Sequence, residues 1–244
     1  QYPQTTFNDA GVSLRGQELK QFLTGHDAAI IALEPIEDKL LESLPDLKVI
    51  SKYGVGIDKI DLDALKGRGI SLGWERGVNR RSVSELALAF MICSLRHINT
   101  SNLEVRSGTW RQHIGAQLTG KKVGIVGLGS VGKDLVGLLK PFNCQILAHD
   151  ILEFPDFCAE NNVTQTSLQE VLSSSDIVSL HVPLTDLTRG IMGTQEFHMM
   201  REGSILINTA RGGLVDETTL KEFLMNGHLA SAAFDVFAQE PPDD

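Results

Sequence analysis

The run Val123-Gly124-Ile125-Val126-Gly127-Leu128-Gly129-Ser130-Val131-Gly132 constrains this chain more than any other stretch. A buried-strand pattern over Val123–Val126 feeds a turn with glycines at 127, 129 and 132, and an apolar helical pattern follows. Each glycine has a separate job. Gly127 permits the tight turn, Gly129 lets a pyrophosphate approach the backbone, and Gly132 lets the helix pack against the strand. The helix N-terminus offers unpaired amides and a positive dipole end to the phosphates. A second apolar strand, Gln145 to His149, runs into Asp150, whose carboxylate can accept both ribose hydroxyls and would repel a 2′-phosphate. Glycine-rich turns alone are common. Strand, glycines, helix, strand and terminal acid in that order predict an NAD site.

The bulk numbers set outer bounds. With 244 residues the chain has room for one large domain or two ordinary ones. A composition of 42% hydrophobic and 22% charged residues suits a globular protein, and no apolar run is long enough to span a bilayer. The net charge of −9 argues against nucleic acid and anionic membrane as partners. Small anionic substrates stay open, because they respond to local charge. Cys93, Cys144 and Cys158 are odd in number and unrelated in spacing, which indicates neither a disulfide framework nor a metal site. Cys93 and Cys144 lie in apolar runs and read as core residues. Without a visible secretory signal, the cytoplasm is the expected compartment. The first residue is Gln1 rather than Met, so a trimmed or incomplete N-terminus is expected.

Strand and helix patterns alternate throughout, the signature of α/β layers on parallel sheets. In the first part Ala28–Leu33, Leu47–Ser51 and Ile70–Leu72 read as strands, and Ser82–Arg96 as a long apolar helix with Ser82 and Glu85 as a capping box. The domain boundary is expected near residue 97, giving a substrate domain over 1–97 and a nucleotide domain over 98–244. The second part supplies strands at Val123–Val126, Gln145–His149, Asp176–His181, Ser204–Asn208 and Ala230–Val236, with a helix over Asp216–Met225. Ligands of such sheets sit at the carboxyl ends of the strands. That rule gathers Gly127, Asp150, His181-Val182-Pro183, Asn208-Thr209-Ala210-Arg211 and Asp235 on one edge.

Arg211 directly follows a buried strand and precedes Gly212 and Gly213. An arginine there could bind a carboxylate bidentately and polarise an adjacent carbonyl. On this ground alone a surface arginine capping a turn fits as well. Asp235 and Glu240, in Asp-Val-Phe-Ala-Gln-Glu-Pro-Pro, could orient a histidine and raise its pKa, or be ordinary loop carboxylates.

Nearly the whole chain resembles the D-isomer-specific 2-hydroxyacid dehydrogenases, the family that contains D-3-phosphoglycerate dehydrogenase. The matching segments are Lys52-Tyr53-Gly54-Val55-Gly56-Ile57-Asp58-Lys59-Ile60-Asp61, Gly77-Val78-Asn79 with Ser82–Leu86, and the glycine turn. They continue through His181–Thr185, Asn208–Glu217 and Asp235-Val236-Phe237 with Glu240-Pro241. The resemblance implies a Rossmann-type NAD-binding domain plus a flavodoxin-like α/β substrate domain, apparently incomplete at both ends. It implies an NAD-dependent oxidoreductase that interconverts a D-2-hydroxy acid, phosphoglycerate-like in one version, and its 2-keto acid.

Residue roles follow from the same resemblance. Arg211 matches the catalytic arginine that holds the substrate carboxylate, and Glu240 the glutamate paired with the catalytic histidine. Asp235 matches the aspartate near the nicotinamide carboxamide. Ser130 and Val131 match phosphate-contacting positions, and Val182, Thr209 and Ala210 line the cofactor with Gly127, Gly129, Gly132 and Asp150. The amides of Val55 and Gly56 match those that receive the substrate carboxylate. Lys52 matches an arginine that assists with substrate phosphate in phosphoglycerate enzymes. Trp110 resembles part of a dimer-forming segment, which implies a homodimer.

Two departures stand out. The family's catalytic histidine follows Glu240, and no histidine occurs from Glu240 to Asp244. His181 and His228 match strand-end and helix-end positions and are not natural substitutes. The family's Asn-Thr-Pro stretch reads Gly73-Trp74-Glu75-Arg76 here, which leaves the substrate open. Lys52, Arg80 and Arg81 could form an anion patch, although solvated surface charge explains Arg80 and Arg81 as well. An NAD-sensing corepressor of the same fold, or a dehydrogenase of formate or phosphite, are the alternatives. Arg211 and Glu240 together favour an enzyme.

Overall fold

The computed structural model describes residues 4–242, so Gln1 and Asp244 lie outside the described residues. The chain divides into two compact units, Gln1–Asn79 and Arg80–Asp244.

Unit 1 contains α1 (Gly16–Leu23), β1 (Ala28–Ile31), α2 (Asp38–Glu42), β2 (Val49–Lys52), α3 (Leu62–Gly67) and β3 (Ser71–Gly73). Its three strands pair in parallel in the order β1-β2-β3. The register Ala29↔Ile50↔Leu72 points these three side chains to one face. There, with Leu19, Leu23, Leu41 and Leu65 from the helices, they form the core of the unit. The opposite face carries Ala28, Ile30, Val49 and Ser51 and is exposed, Ile30 to 81%. Strand alternation produces this split, since neighbouring side chains leave a strand on opposite sides.

Unit 2 begins with α4 (Arg80–Leu95) and α5 (Ile98–Arg106), then alternates β4 (Lys122–Val126), α6 (Ser130–Leu139), β5 (Gln145–His149), α7 (Pro155–Asn161), β6 (Val163–Gln165) and α8 (Leu168–Ser174). It closes with β7 (Ile177–Leu180), α9 (Thr194–Met199), β8 (Ser204–Asn208), α10 (Glu217–Met225) and β9 (Leu229–Phe234). The six strands are parallel in the order β6-β5-β4-β7-β8-β9. In sequence order that is 3-2-1-4-5-6, two βαβαβ halves meeting between β4 and β7. Strands β7 and β8 are buried at every position, as expected where helices cover both faces.

The division falls at Asn79, ahead of the boundary near 97 expected from sequence. The long helix explains the difference. Ser84, Ala87, Met91 and Leu95 form one buried stripe of α4, and the last three share a hydrophobic cluster with Leu135, Val136 and Leu139 of α6. Ser84 Oγ bonds Asp134 and Arg81 pairs with Asp134 at 2.9 Å, so α4 is packed into unit 2. The helix also starts at Arg80, which puts Ser82 inside its first turn rather than at its cap.

Strand β6 was not expected. Of its three residues only Val163 is apolar and buried, and its pairing with β5 holds it in place. Cys93 and Cys144 are only partly buried, whereas Cys158 is buried, which corrects the expectation of two core cysteines. Both cysteines lie near helix or strand ends, where an apolar neighbourhood in sequence does not ensure enclosure. Burial pushes the thiols of Cys144 and Cys158 up, at Cys158 against the opposing charge of Lys133, so both stay protonated at neutral pH. Among the described residues no helix is long and apolar enough to cross a membrane.

Asp216 caps α10, accepting the Thr219 backbone N–H at 3.0 Å and the Thr219 hydroxyl at 2.8 Å. These bonds hold its carboxyl below the usual range. Asp216→Ala is expected to lower unfolding stability by about 1 kcal/mol, read as a shift in denaturant midpoint at unchanged slope.

Candidate cofactor and catalytic site

Because all six strands of unit 2 run the same way, the residues that follow β4, β5, β7, β8 and β9 share one edge. The edge therefore carries the glycine turn, Asp150, His181-Val182, Thr209-Ala210-Arg211 and Asp235. The switch in strand order lies between β4 and β7, which places the crevice of such sheets beside Gly127.

Gly127 has φ +103°, and a Cβ there would come within 2.6 Å of the His181 carbonyl oxygen. Both the dihedral and the clearance require glycine. A Cβ on Gly132 would lie 2.2 Å from the Gly127 carbonyl oxygen, so the turn rests against the first turn of α6. Gly129 is the N-cap of α6, in extended conformation, with Ser130 and Val131 as the first helical residues and no side-chain cap. The amide N–H groups of that first turn are the donors a pyrophosphate would meet.

Asp150 is organised by the backbone around it. One carboxylate oxygen accepts the Leu128 N–H at 2.7 Å and the other accepts the Leu152 N–H at 2.9 Å. Each oxygen keeps a lone pair, so two hydroxyls can still be received. The exposed residues that follow, Ile151 and Leu152, carry no positive charge. Thr209 is 7% exposed and its hydroxyl has no partner among the described residues. A buried unpaired hydroxyl at this edge is the kind of group a bound ligand satisfies. The glycine clearance, the open helix amides, Asp150 and Thr209 all fit a dinucleotide.

Arg211 stands on a turn built by Asn208. The Asn208 side chain is fully buried, donates to the Arg211 carbonyl at 2.8 Å and accepts the Ala210 N–H at 3.1 Å. Its own backbone carbonyl accepts the Asp235 N–H at 3.0 Å, tying the Arg211 turn to the end of β9. The Arg211 guanidinium donates to the Ala210 carbonyl at 2.7 Å. Gly212 is packed so closely on the next loop that a Cβ would sit 1.9 Å from the Phe237 carbonyl carbon. Glu217 holds that loop by accepting the Ala238 N–H at 2.7 Å. The exposed Glu240 carboxylate accepts the Phe237 N–H at 3.1 Å. The sequence places Asn208 on the ligand edge without a role and gives Glu217 no place in the site. A polar residue closing the otherwise apolar strand Ser204–Asn208 was the available signal for the first.

Neither His181 nor His228 is set up to move a proton. His181 shares a 2.9 Å hydrogen bond between its Nε2 and the buried Ser179 hydroxyl, and burial pushes the imidazole down to about 4. His228 donates from Nε2 to the Met200 carbonyl at 2.9 Å and packs edge-on against Phe223. Their roles here are structural.

In unit 1, Lys52 Nζ donates to the carbonyls of Ala32 and Tyr53 at the ends of β1 and β2. Val55 and Gly56 follow in the loop after β2, both partly buried. Arg81 of the suspected anion patch is in unit 2, paired with Asp134.

A parallel sheet in this order with a glycine turn at its switch point defines a dinucleotide-binding domain. Residues 88–244 match the D-isomer specific 2-hydroxyacid dehydrogenase, NAD binding domain, and the chain belongs to that family. It is 33% identical to a hydroxypyruvate reductase of Thermotoga maritima over 95% of this chain and 76% of that protein. It is 34% identical to a D-3-phosphoglycerate dehydrogenase of Archaeoglobus fulgidus over 93% of its length, but spans only 44% of that relative. A solved D-lactate dehydrogenase from Aquifex aeolicus, complexed with NAD and lactic acid, superposes with a TM-score of 0.83 at 28% identity, covering 91% of this chain and 67% of that one.

Proposed function

We propose that this chain forms the NAD-binding unit and part of the substrate-binding unit of an enzyme that interconverts a D-2-hydroxy acid and its 2-keto acid. The observation that carries this reading is Arg211, fixed by the buried Asn208 at the same sheet edge as the glycine turn. A guanidinium there can hold a carboxylate through two parallel hydrogen bonds and polarise the neighbouring carbonyl. The nicotinamide, when bound, supplies the hydride. Gly127, Gly129, Ser130, Val131 and Gly132 cradle the pyrophosphate, and Asp150 receives the ribose. Val182, Thr209, Ala210 and Asp235 line the remainder of the cofactor. Glu240 orients a proton-carrying imidazole, which the 244 residues do not contain beyond it. In unit 1 the Gly54-Val55-Gly56 loop receives a carboxylate. The net charge of −9 gives no support to nucleic acid or anionic membrane as partner. Three free cysteines suit the reducing cytoplasm.

Oxidation of NADH with a panel of 2-keto acids tests the reading. Turnover with none of them, alongside normal NADH binding, would favour an NAD-sensing protein instead. Preference for NAD over NADP is expected at about tenfold or more, because a 2′-phosphate would meet the Asp150 carboxylate with no cation at 151 or 152. Calorimetric titration with both cofactors checks it, and equal affinities would contradict the role given to Asp150.

We also propose a homodimer through the segment around α5. That helix buries no residue, and Trp110 and Ile114 beyond it are 86% and 92% exposed. Large exposed apolar side chains gathered in one segment mark an association surface. Sedimentation should give twice the chain mass, and Trp110→Asp should shift it toward the monomer.

A further inference from the structure

The carboxyl ends of the three unit 1 strands bring together Ala32, the loop Tyr53-Gly54-Val55-Gly56 and Gly73-Trp74. Among the described residues, no hydrogen bond takes up the backbone N–H groups of Gly54, Val55 or Gly56. Three consecutive amides left open at the carboxyl edge of a parallel sheet are donors available to an anion.

The neighbouring carbonyls are not open. Tyr53 O accepts from Lys52 Nζ at 2.9 Å, and Val55 O accepts from the Trp74 indole Nε1–H at 3.1 Å. In a planar trans peptide the C=O and the following N–H point in opposite directions. Holding Tyr53 O toward the ammonium therefore turns Gly54 N–H away from it. Holding Val55 O toward the indole turns Gly56 N–H away from Trp74. Gly54, at φ +103°, gives the loop the reversal this needs and the freedom to lose it. A flexible two-glycine loop needs such an anchor, since each unfixed peptide can rotate its N–H out of register.

We propose that Trp74 is a positioning residue for the substrate carboxylate. Its indole fixes the Val55–Gly56 peptide so that the Gly56 N–H is presented to a small 2-keto acid, while Lys52 braces the preceding peptide. This rests on the enzyme reading above. Trp74 stands where the resembling family carries a different sequence, so the brace belongs to this chain. Its ring, 37% exposed, also gives the loop an apolar neighbour rather than a charged one.

The test uses the full protein saturated with NADH and oxamate, an unreactive isostere of pyruvate, titrated by calorimetry. Trp74→Phe keeps the ring and removes the N–H, and Trp74→Ala removes both. Both variants are expected to bind oxamate about tenfold more weakly and to raise KM for pyruvate by a similar factor. Affinity for NADH should stay the same, and kcat should stay within about twofold. Unchanged oxamate affinity in both variants overturns the proposal. So does full affinity in Trp74→Phe with loss only in Trp74→Ala, which would make the ring a packing element. Absence of oxamate binding in the unmodified protein overturns it as well. Loss of oxamate binding in Trp74→Phe, in a protein that reduces no keto acid, would sustain the brace and refute the enzyme reading.

Discussion

Arg211→Lys is expected to lower kcat/KM for the preferred 2-keto acid by about a hundredfold, equivalent to ~2.7 kcal/mol of transition-state stabilisation. Affinity for NAD should be unchanged. Lysine retains the positive charge but not the planar fork, so one point contact replaces two parallel hydrogen bonds. The backbone of the turn is held by Asn208 through the Arg211 carbonyl and the Ala210 N–H, neither of which depends on the residue 211 side chain. The variant should therefore fold normally, and thermal unfolding would confirm that. Steady-state kinetics on an active chain, with NADH binding measured separately, gives the result. Near-normal efficiency would remove Arg211 from the chemical step.

The second expected result concerns acid stability. Burial pushes the His181 imidazole down to about 4, against about 6.5 in an unfolded chain. At pH 7 the residue is neutral in both states and costs nothing. As the pH falls below 6.5 the unfolded chain takes up a proton that the folded chain does not. Stability therefore drops through the window from 6.5 to 4, by about 3 kcal/mol in total. The Asp216 carboxyl, held below its ordinary range, contributes a loss of the same sign at lower pH. His181→Gln separates the two, because glutamine can still meet the Ser179 hydroxyl and does not titrate. Denaturant unfolding of both proteins at a series of pH values should show a difference in stability that changes between 6.5 and 4 and is flat above. Parallel profiles would mean that His181 titrates normally in the folded protein.

The two residues also differ in how they could be found. Arg211 is marked in sequence by its place shortly after the strand Ser204–Asn208 and before two glycines, a pattern that a turn-capping arginine fits as well, and the family resemblance is what gives it a role. The burial of His181 is invisible in sequence. It depends on the Gly127 turn lying against the His181 carbonyl and on the Ser179 hydroxyl beneath, both brought there by the pairing of β4 with β7.

The sequence by itself determined the nucleotide half of this protein. The turn at 127–132 needs glycine for a positive φ and for backbone clearance, and the strands that end at Val126, His149, Leu180 and Asn208 are short apolar runs bounded by polar residues. Such requirements are local, and residue type states them directly. Tertiary structure decided the rest. Strand β6 exists because β5 offers it an edge, and the apolar stripe of α4 could have faced either unit until α6 and Asp134 received it. Trp74 became the anchor of the Val55 carbonyl, and the Asn208 carbonyl the tie to Asp235, only when the chain brought separate segments within hydrogen-bond reach. A side chain's partner is set by which surfaces meet, and a pattern along one segment carries no record of the segment that will face it.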